Sequence, residues 1–283
     1  MVRCTGGLGN QLFSVAMARL LTVHYRKLFA LDVSSFETYV DHPLDLELLK
    51  DRLGLTFVAN KKGRLPAKGL AGSNAEFETA LIEQDRPLSY RDFPSMSPHY
   101  VSGYFQDYTT PFRLGHSFAA ELWLALSGVL GPGCAESLSK HKSRNFIHLR
   151  RGNFRTTRVG VLSDDYLLDA LDLIAIDEPF TVLSDDPASS LHSTLRTLTQ
   201  AGYNVSVFPG GDYLSSFEVL FLLAQSDRLV MANSTISWWA GFFKEFLLSN
   251  TRGIVAPSRW VEKADCQPNL TPPHWIRVRS KFC

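Results

Sequence analysis

The 283-residue chain has no excess charge of either sign: 29 Lys and Arg against 28 Asp and Glu leave a formal net charge of +1. A field that weak does not gather nucleic acid over the whole surface, so recognition of any anion has to come from local clusters. Cysteine is scarce too. Cys4, Cys134, Cys266 and Cys283 lie far apart, with no CxxC pair and no histidine spacing suited to zinc. A disulfide scaffold packs its cysteines more densely into a shorter chain, so reduced thiols in a cytoplasmic protein are expected. Long apolar runs are also missing. The nearest, LFSVAMARLLTVHYRKLFAL at 12–31, is interrupted by Arg19, His24, Arg26 and Lys27, and a membrane span needs roughly 20 clean residues. No basic segment leading into an apolar core and cleavage site opens the chain, so no export signal is expected. No fixed-period repeat and no low-complexity tract appears.

Apolar residues at 45% and charged residues at 20% are ordinary for a globular protein, and the length suits one or two domains. Strand-like and helix-like segments alternate, which predicts an α/β fold with parallel sheets. VRCT (2–5) reads as a strand, GGLGN as a turn, and QLFSVAMARLLTVHY (11–25) as a helix with Leu12, Ala16, Leu20 and Val23 on one face. KLFALDV (27–33) is a second strand and DLELLKDRL (45–53) a second helix. The stretch 61–87 is polar and glycine-rich, with no clear assignment. HYVSGYFQ (99–106) reads as a strand and SFAAELWLALSGVLG (117–131) as a helix ended by Gly131, Pro132 and Gly133. Residues 131–142 form the best linker, which predicts one domain over 1–133 and another over 143–283. Past the linker the alternation is cleaner. Strands are expected at 146–150, 180–184, 203–208, 228–232 and, last, GIVAPS at 253–258. Helices are expected at 165–175, 190–202, 217–225 and 235–248, giving the unit of a doubly wound nucleotide-binding domain.

Ligands of such sheets bind at the carboxyl ends of the strands. Five places put polar or glycine-rich residues there: GGLGNQ, YFQD, HLRRGN, SDD and ANSTIS. In GGLGNQ the glycines permit a tight turn before a helix N-terminus; taken alone the motif reads as an ordinary glycine turn capped by Asn10, to which Asn10 and Gln11 add amide donors that such a turn does not require. It is neither a P-loop nor a G-x-G-x-x-G fingerprint. In HLRRGN, Arg150 and Arg151 suit bidentate phosphate binding. Two successive residues of an extended strand point to opposite sides, so one faces a ligand while the other salt-bridges the loop. The bland alternative is a surface pair meeting Asp or Glu neighbours, with His148 a satisfied core histidine. Ser184, Asp185 and Asp186 either cap the following helix or hydrogen-bond a nucleotide base or ribose. No second carboxylate cluster accompanies them, so no metal is expected. Asn233, Ser234 and Thr235 are N-cap candidates whose helix end also suits a diphosphate. Trp238 and Trp239 read as core aromatics.

Together these segments resemble the bacterial α-1,2-fucosyltransferases of glycosyltransferase family 11. Seven motifs stand in family order: GGLGNQLF at 6–13, GYFQ at 103–106, HLRRG at 148–152, DY at 165–166, SDDP at 184–187, ANSTISWWAGF at 232–242 and IVAPSRW at 254–260. The resemblance implies the GT-B fold, two facing Rossmann-like domains with the donor cleft between them. The N-terminal domain would be the acceptor side and the C-terminal one would bind GDP-fucose. It implies an inverting, metal-independent transfer of L-fucose from GDP-β-L-fucose to the 2-hydroxyl of a galactosyl acceptor, with no cofactor. By that resemblance Arg150 or Arg151 neutralises the departing diphosphate, with Asn233, Ser234 and Thr235 as further donors. Ser184, Asp185 and Asp186 would lie near the guanosine, and His148 joins the donor-binding set through its place in HLRRG. Gly7, Gly9, Asn10 and Gln11 would approach the donor from the N-terminal side, and Gln106 would line the cleft. A galactose-containing oligosaccharide or lipid-linked glycan would be the acceptor, in surface polysaccharide or lipopolysaccharide biosynthesis, with at most peripheral membrane contact. One position departs from the family: Asn153 stands where an Asp is usual after HxRRG, and an amide cannot act as a base. Either that carboxylate is structural, or the enzyme is weakened, or Asp165 or Asp107 compensates. A transferase for another GDP-sugar and a non-catalytic GDP-sugar-binding protein are the alternatives.

Overall fold

In a computed structural model the described residues are 1–37, 42–59, 81–83, 100–130, 145–174, 178–248, 253–264 and 267–283. The expected linker at 131–142 and most of the polar stretch 61–87 lie outside them. The chain divides into two compact units, Met1–Glu121 and Leu122–Cys283.

The first unit holds a parallel sheet of β1 (Val2–Arg3), β2 (Leu31–Asp32), β3 (Phe57–Val58), β4 (Leu81–Glu83) and β5 (Tyr100–Ser102), in the order β3-β2-β1-β5-β4. Helix α1 (Leu8–Tyr25) follows β1, and α2 (Thr109–Val129), broken at Gly115 (φ 70°), follows β5 and carries the chain into the second unit at Leu122. The helix expected over 45–53 is instead a 3₁₀ segment, Asp45–Leu49, followed by turns. Leu46 and Leu49 bury three residues apart, the repeat of a 3₁₀ turn, and Gly54 at φ 56° ends the segment.

The second unit holds β6 (Asn145–Leu149), β7 (Phe180–Ser184), β8 (Val205–Val207), β9 (Arg228–Val230), β10 (Ile254–Pro257) and β11 (Ile276–Val278). All pair in parallel, in the order β11-β10-β9-β6-β7-β8. The chain starts at the centre, winds outward through β7 and β8, returns to the centre at β9, and winds out the other way. Helices α3 (Asp164–Ile174), α4 (His192–Gln200), α5 (Ser216–Ala224) and α6 (Thr235–Leu248) connect them. GIVAPS is therefore not the last strand; β11 adds an edge. Three residues in a polar tail carry no periodicity by which to read them.

Ile147, Val182, Val230 and Val255 from four adjacent strands pack with Tyr166, Leu167, Ala170 and Leu171 of α3. Around α6, Trp238, Trp239, Phe242 and Phe243 are all buried, the two indoles meeting edge to face at 5.1 Å. Lys244 is fully buried, and its ammonium donates to the carbonyls of Ser226 and Asp227 just past the end of α5. A cation there complements the negative end of the helix dipole. Cys4 and Cys283 are free thiols, and burial pushes Cys4 up to about 12. Among the described residues no helix is long and apolar enough to cross a membrane.

One buried hydroxyl fixes α3 against the end of β9: Tyr166 donates to the carbonyl of Met231 at 2.9 Å. Tyr166→Phe keeps the packing volume and strands that carbonyl, so it is expected to destabilise by about 1–2 kcal/mol in denaturant unfolding. An unchanged midpoint would show that the bond contributes nothing.

Candidate functional site

A doubly wound sheet opens a crevice where its strand order reverses. In the first unit that point lies between β1 and β5, and in the second between β6 and β9. The segments leaving these four strands are GGLGN, GYFQ, RRGN and MANS, so the strand order brings the sequence motifs together in pairs.

At the first crevice Gly6 takes φ +74°, and a Cβ there would sit 2.6 Å from Nδ2 of Asn10. The conformation that requires glycine is thus at Gly6, beside the expected Gly7 and Gly9. Gly7 is the N-cap of α1, and Gly9 is buried within its first turn. Gln106 donates to Oδ1 of Asn10 at 2.9 Å, joining the two loops. Gln11 is fully buried, donating to the carbonyls of Gly6 and Pro43 and accepting from the amide of Leu46. Its amide therefore holds the loop from inside. Asp107 is buried and accepts from the amide and hydroxyl of Thr109, which makes it a cap for α2. The start of α1 already carries an anion: Asp45 accepts from the amide of Leu8, and burial raises its carboxyl to about 6.

At the second crevice the two arginines divide their work. Arg151 is 8% exposed. Its guanidinium donates to Asp164 at 3.1 Å and to Thr194 at 2.7 Å, while its backbone amide donates to Asp185 at 2.8 Å. Arg150 keeps a third of its side chain in solvent, pairs with Asp185 at 3.2 Å and lies over the ring of Phe154. Asp186 pairs with Arg155, and its amide donates to the hydroxyl of Ser184. Asp185 and Asp186 thus hold the arginine loop in this structure. A Cβ on Gly152 would come within 2.6 Å of Oδ2 of Asp185, which is why the loop needs glycine there. Asp164, not the exposed Asp165, meets Arg151. Sequence reading missed Asp164; its place in the first turn of α3 was the available signal. Asn153 is exposed on the 3₁₀ turn 153–156.

His148 is buried and its Nδ1 meets the hydroxyl of Ser237, tying β6 to α6. Burial, reinforced by the charge of Arg150, pushes it down to about 3, so it is neutral. Asn233 is buried, and its Nδ2 donates to the carbonyls of Gly160 and Trp260 at 3.0 and 3.2 Å. Ser234 accepts from the amide of Ile236, and Thr235 opens α6. A pocket runs between the two strand ends, with Arg150, Arg151, His148, Tyr166 and Asn233 in its wall. Guanidinium groups beside a helix N-terminus suit a phosphate-bearing ligand. Among the described residues no three His, Cys, Asp or Glu side chains gather as a metal site.

The sequence pattern of the family described as "Glycosyl transferase family 11" matches residues 78–262. The chain belongs to glycosyl transferase family 11. This family 11 glycosyltransferase is also 22% identical, over 312 aligned residues covering 98% of both chains, to an alpha-1,2-colitosyltransferase of Escherichia coli. The second crevice, from HLRRG to ANSTIS, falls within the matched span; GGLGNQ precedes it.

Two measurements test the geometry of the glycosyltransferase. Asp164→Asn leaves a buried guanidinium without its carboxylate and is expected to cost about 3 kcal/mol, whereas Asp165→Asn should stay within about 0.5 kcal/mol. Equal losses in denaturant unfolding would contradict the assignment. His148 supplies a pH test. In the unfolded chain it protonates below its ordinary 6.5, while in the folded chain it stays neutral down to about 3. Its contribution is therefore intact above 6.5 and lost as pH falls from there toward 3, at about 1.4 kcal/mol per unit. Between pH 7 and pH 5 the wild type should lose about 2 kcal/mol more than His148→Asn. A pH-independent difference between the two proteins would refute this.

Proposed function

We propose that this glycosyltransferase moves L-fucose from GDP-β-L-fucose to the 2-hydroxyl of a galactosyl acceptor, with inversion and without a metal. The observation that carries the reading is the crevice between β6 and β9, where an arginine pair and the N-terminus of α6 stand at adjacent strand ends. The leaving group is a nucleoside diphosphate. Negative charge grows on it as the bond to the sugar's C1 lengthens and the ring takes oxocarbenium character. Donors already fixed where that charge develops are worth about 3–4 kcal/mol apiece. They take the part a divalent cation plays in other transferases.

Arg150, the more exposed arginine, is the one that turns from Asp185 to the diphosphate, and Arg151 stays pinned and holds the loop. The acceptor's 2-hydroxyl attacks C1 from the face opposite the diphosphate, the bond from C1 to the diphosphate oxygen breaks, and the hydroxyl's proton passes to a general base or to solvent. The proposal includes the GT-B arrangement, with domains over 1–133 and 143–283. It also includes a lipid-linked or oligosaccharide acceptor in surface polysaccharide biosynthesis, and a cytoplasmic setting with at most peripheral membrane contact. A second reading, that the donated sugar is colitose, is favoured by the name of the Escherichia coli relative.

The test is transfer to lactose by the purified protein, with EDTA present and GDP-fucose and GDP-colitose in competition. Fucosyllactose with a 1,2 linkage, formed at an undiminished rate, is expected. Arg150→Ala and Arg151→Ala should each lose about 100-fold or more in turnover, and Asn153→Ala less than about threefold. Preference for GDP-colitose would establish the second reading. GDP binding with no transfer to acceptor or water would overturn both in favour of a binding protein.

A further inference from the structure

Two polar atoms, on residues that line the second crevice, have no partner among the described residues. They are Nε of Arg151 and Oδ1 of Asn233. Their residues are 8% and 5% exposed, and both line the pocket between β6 and β9. Neither atom is loosely placed. The far end of the Arg151 guanidinium is fixed by Asp164 and Thr194. Nδ2 of Asn233 is aimed at the carbonyls of Val159, Gly160 and Trp260. Turning that amide over would set its oxygen against three carbonyl oxygens, so the orientation of Oδ1 follows from the network. One orphan donates and the other accepts, and Leu149, Val161, Leu162 and Leu167 make the surrounding wall apolar. Buried polar atoms in such a setting are costly to leave unmet.

A ligand that satisfies both must accept from Nε–H and donate to Oδ1. A diphosphate oxygen carries no proton at neutral pH and cannot donate. A purine edge could do both, but it spreads its donor and acceptor over separate atoms of a rigid ring. A hydroxyl donates and accepts through one oxygen, which suits a donor and an acceptor fixed in one wall. In a nucleoside diphosphate sugar the diphosphate is flanked on each side by a sugar, so hydroxyls lie a few bonds from phosphorus in both directions. We propose that Arg151 Nε and Asn233 Oδ1 together hold one sugar hydroxyl of the donor, either on the ribose or on the transferred sugar. The pair thereby selects donors that carry that hydroxyl. This rests on the nucleotide-sugar reading above. A site built to bond a hydroxyl rejects the analogue lacking it far more strongly than an apolar pocket rejects an added group.

Calorimetric titration tests it without any need for turnover. The ligands are GDP, its 2′-deoxy and 3′-deoxy forms, GDP-fucose and its 2-, 3- and 4-deoxy counterparts; the 3-deoxy counterpart is GDP-colitose. One deletion is expected to weaken binding by at least about tenfold, and its position tells ribose from transferred sugar. In Arg151→Lys, which keeps a cation facing Asp164 but has no Nε–H, the same deletion should cost less than about threefold. If every deletion costs less than threefold in the wild type, the pocket holds only water and the proposal falls while the nucleotide-sugar reading stands. If the critical deletion costs the same in Arg151→Lys, the hydroxyl is bound elsewhere and the proposal also falls. If neither GDP nor GDP-fucose binds, both readings fall.

Discussion

A guanidinium at the end of a buried strand has to find acceptors, and the loops of the second unit are arranged around that demand. Arg151 draws Asp164 from α3, Thr194 from α4 and, through its backbone amide, Asp185 from the end of β7. Three segments separated in sequence are thereby held to the one that leaves β6. The half-buried Arg150 inherits its position from this arrangement, because Asp185 serves both residues. Gly152 leaves room for the same carboxylate, whose Oδ2 would lie 2.6 Å from a Cβ there.

The two crevices are alike in topology and different in charge. At the first, the carboxylate of Asp45 already occupies the start of α1, and the facing groups are the amides of Asn10 and Gln106. At the second, the start of α6 stands beside two arginines in the wall of a pocket. The second therefore offers an anion cationic donors that can exchange partners, and the first offers it none. Uncharged hydroxyls, such as those of a sugar acceptor, suit a surface of amides better.

Much of this was legible in the chain. TISWWAGFFKEFLL was read to the residue as a helix, because fourteen residues with a buried aromatic face leave no other assignment. HLRRGN and ANSTIS are legible as strand-end segments of a doubly wound sheet, and it is the strand order that sets them side by side, on β6 and β9. What could not be read depends on phase and partner. Whether Asp164 or Asp165 meets Arg151 is decided by the rotation of α3, which adjacent identical residues do not reveal. Carboxylates that bind a nucleotide and carboxylates that pair with arginines look alike in sequence, and SDD was read the first way as well as as a cap. Gln11 and Asp107 promised polar contacts with a ligand, yet their groups are engaged internally by tertiary contacts that no local pattern encodes.

The three ion pairs Arg150–Asp185, Arg151–Asp164 and Arg155–Asp186 leave the loop at the second crevice close to neutral. Such a site exerts little long-range pull on a passing anion, so encounter is governed by shape and diffusion more than by steering. In the proposed reaction a diphosphate enters by exchange, taking Arg150 from the carboxylate of Asp185, which stays beside it. When the spent nucleotide departs, that carboxylate recaptures the arginine and no bare cation is stranded. The pairing that opposes entry therefore also favours departure.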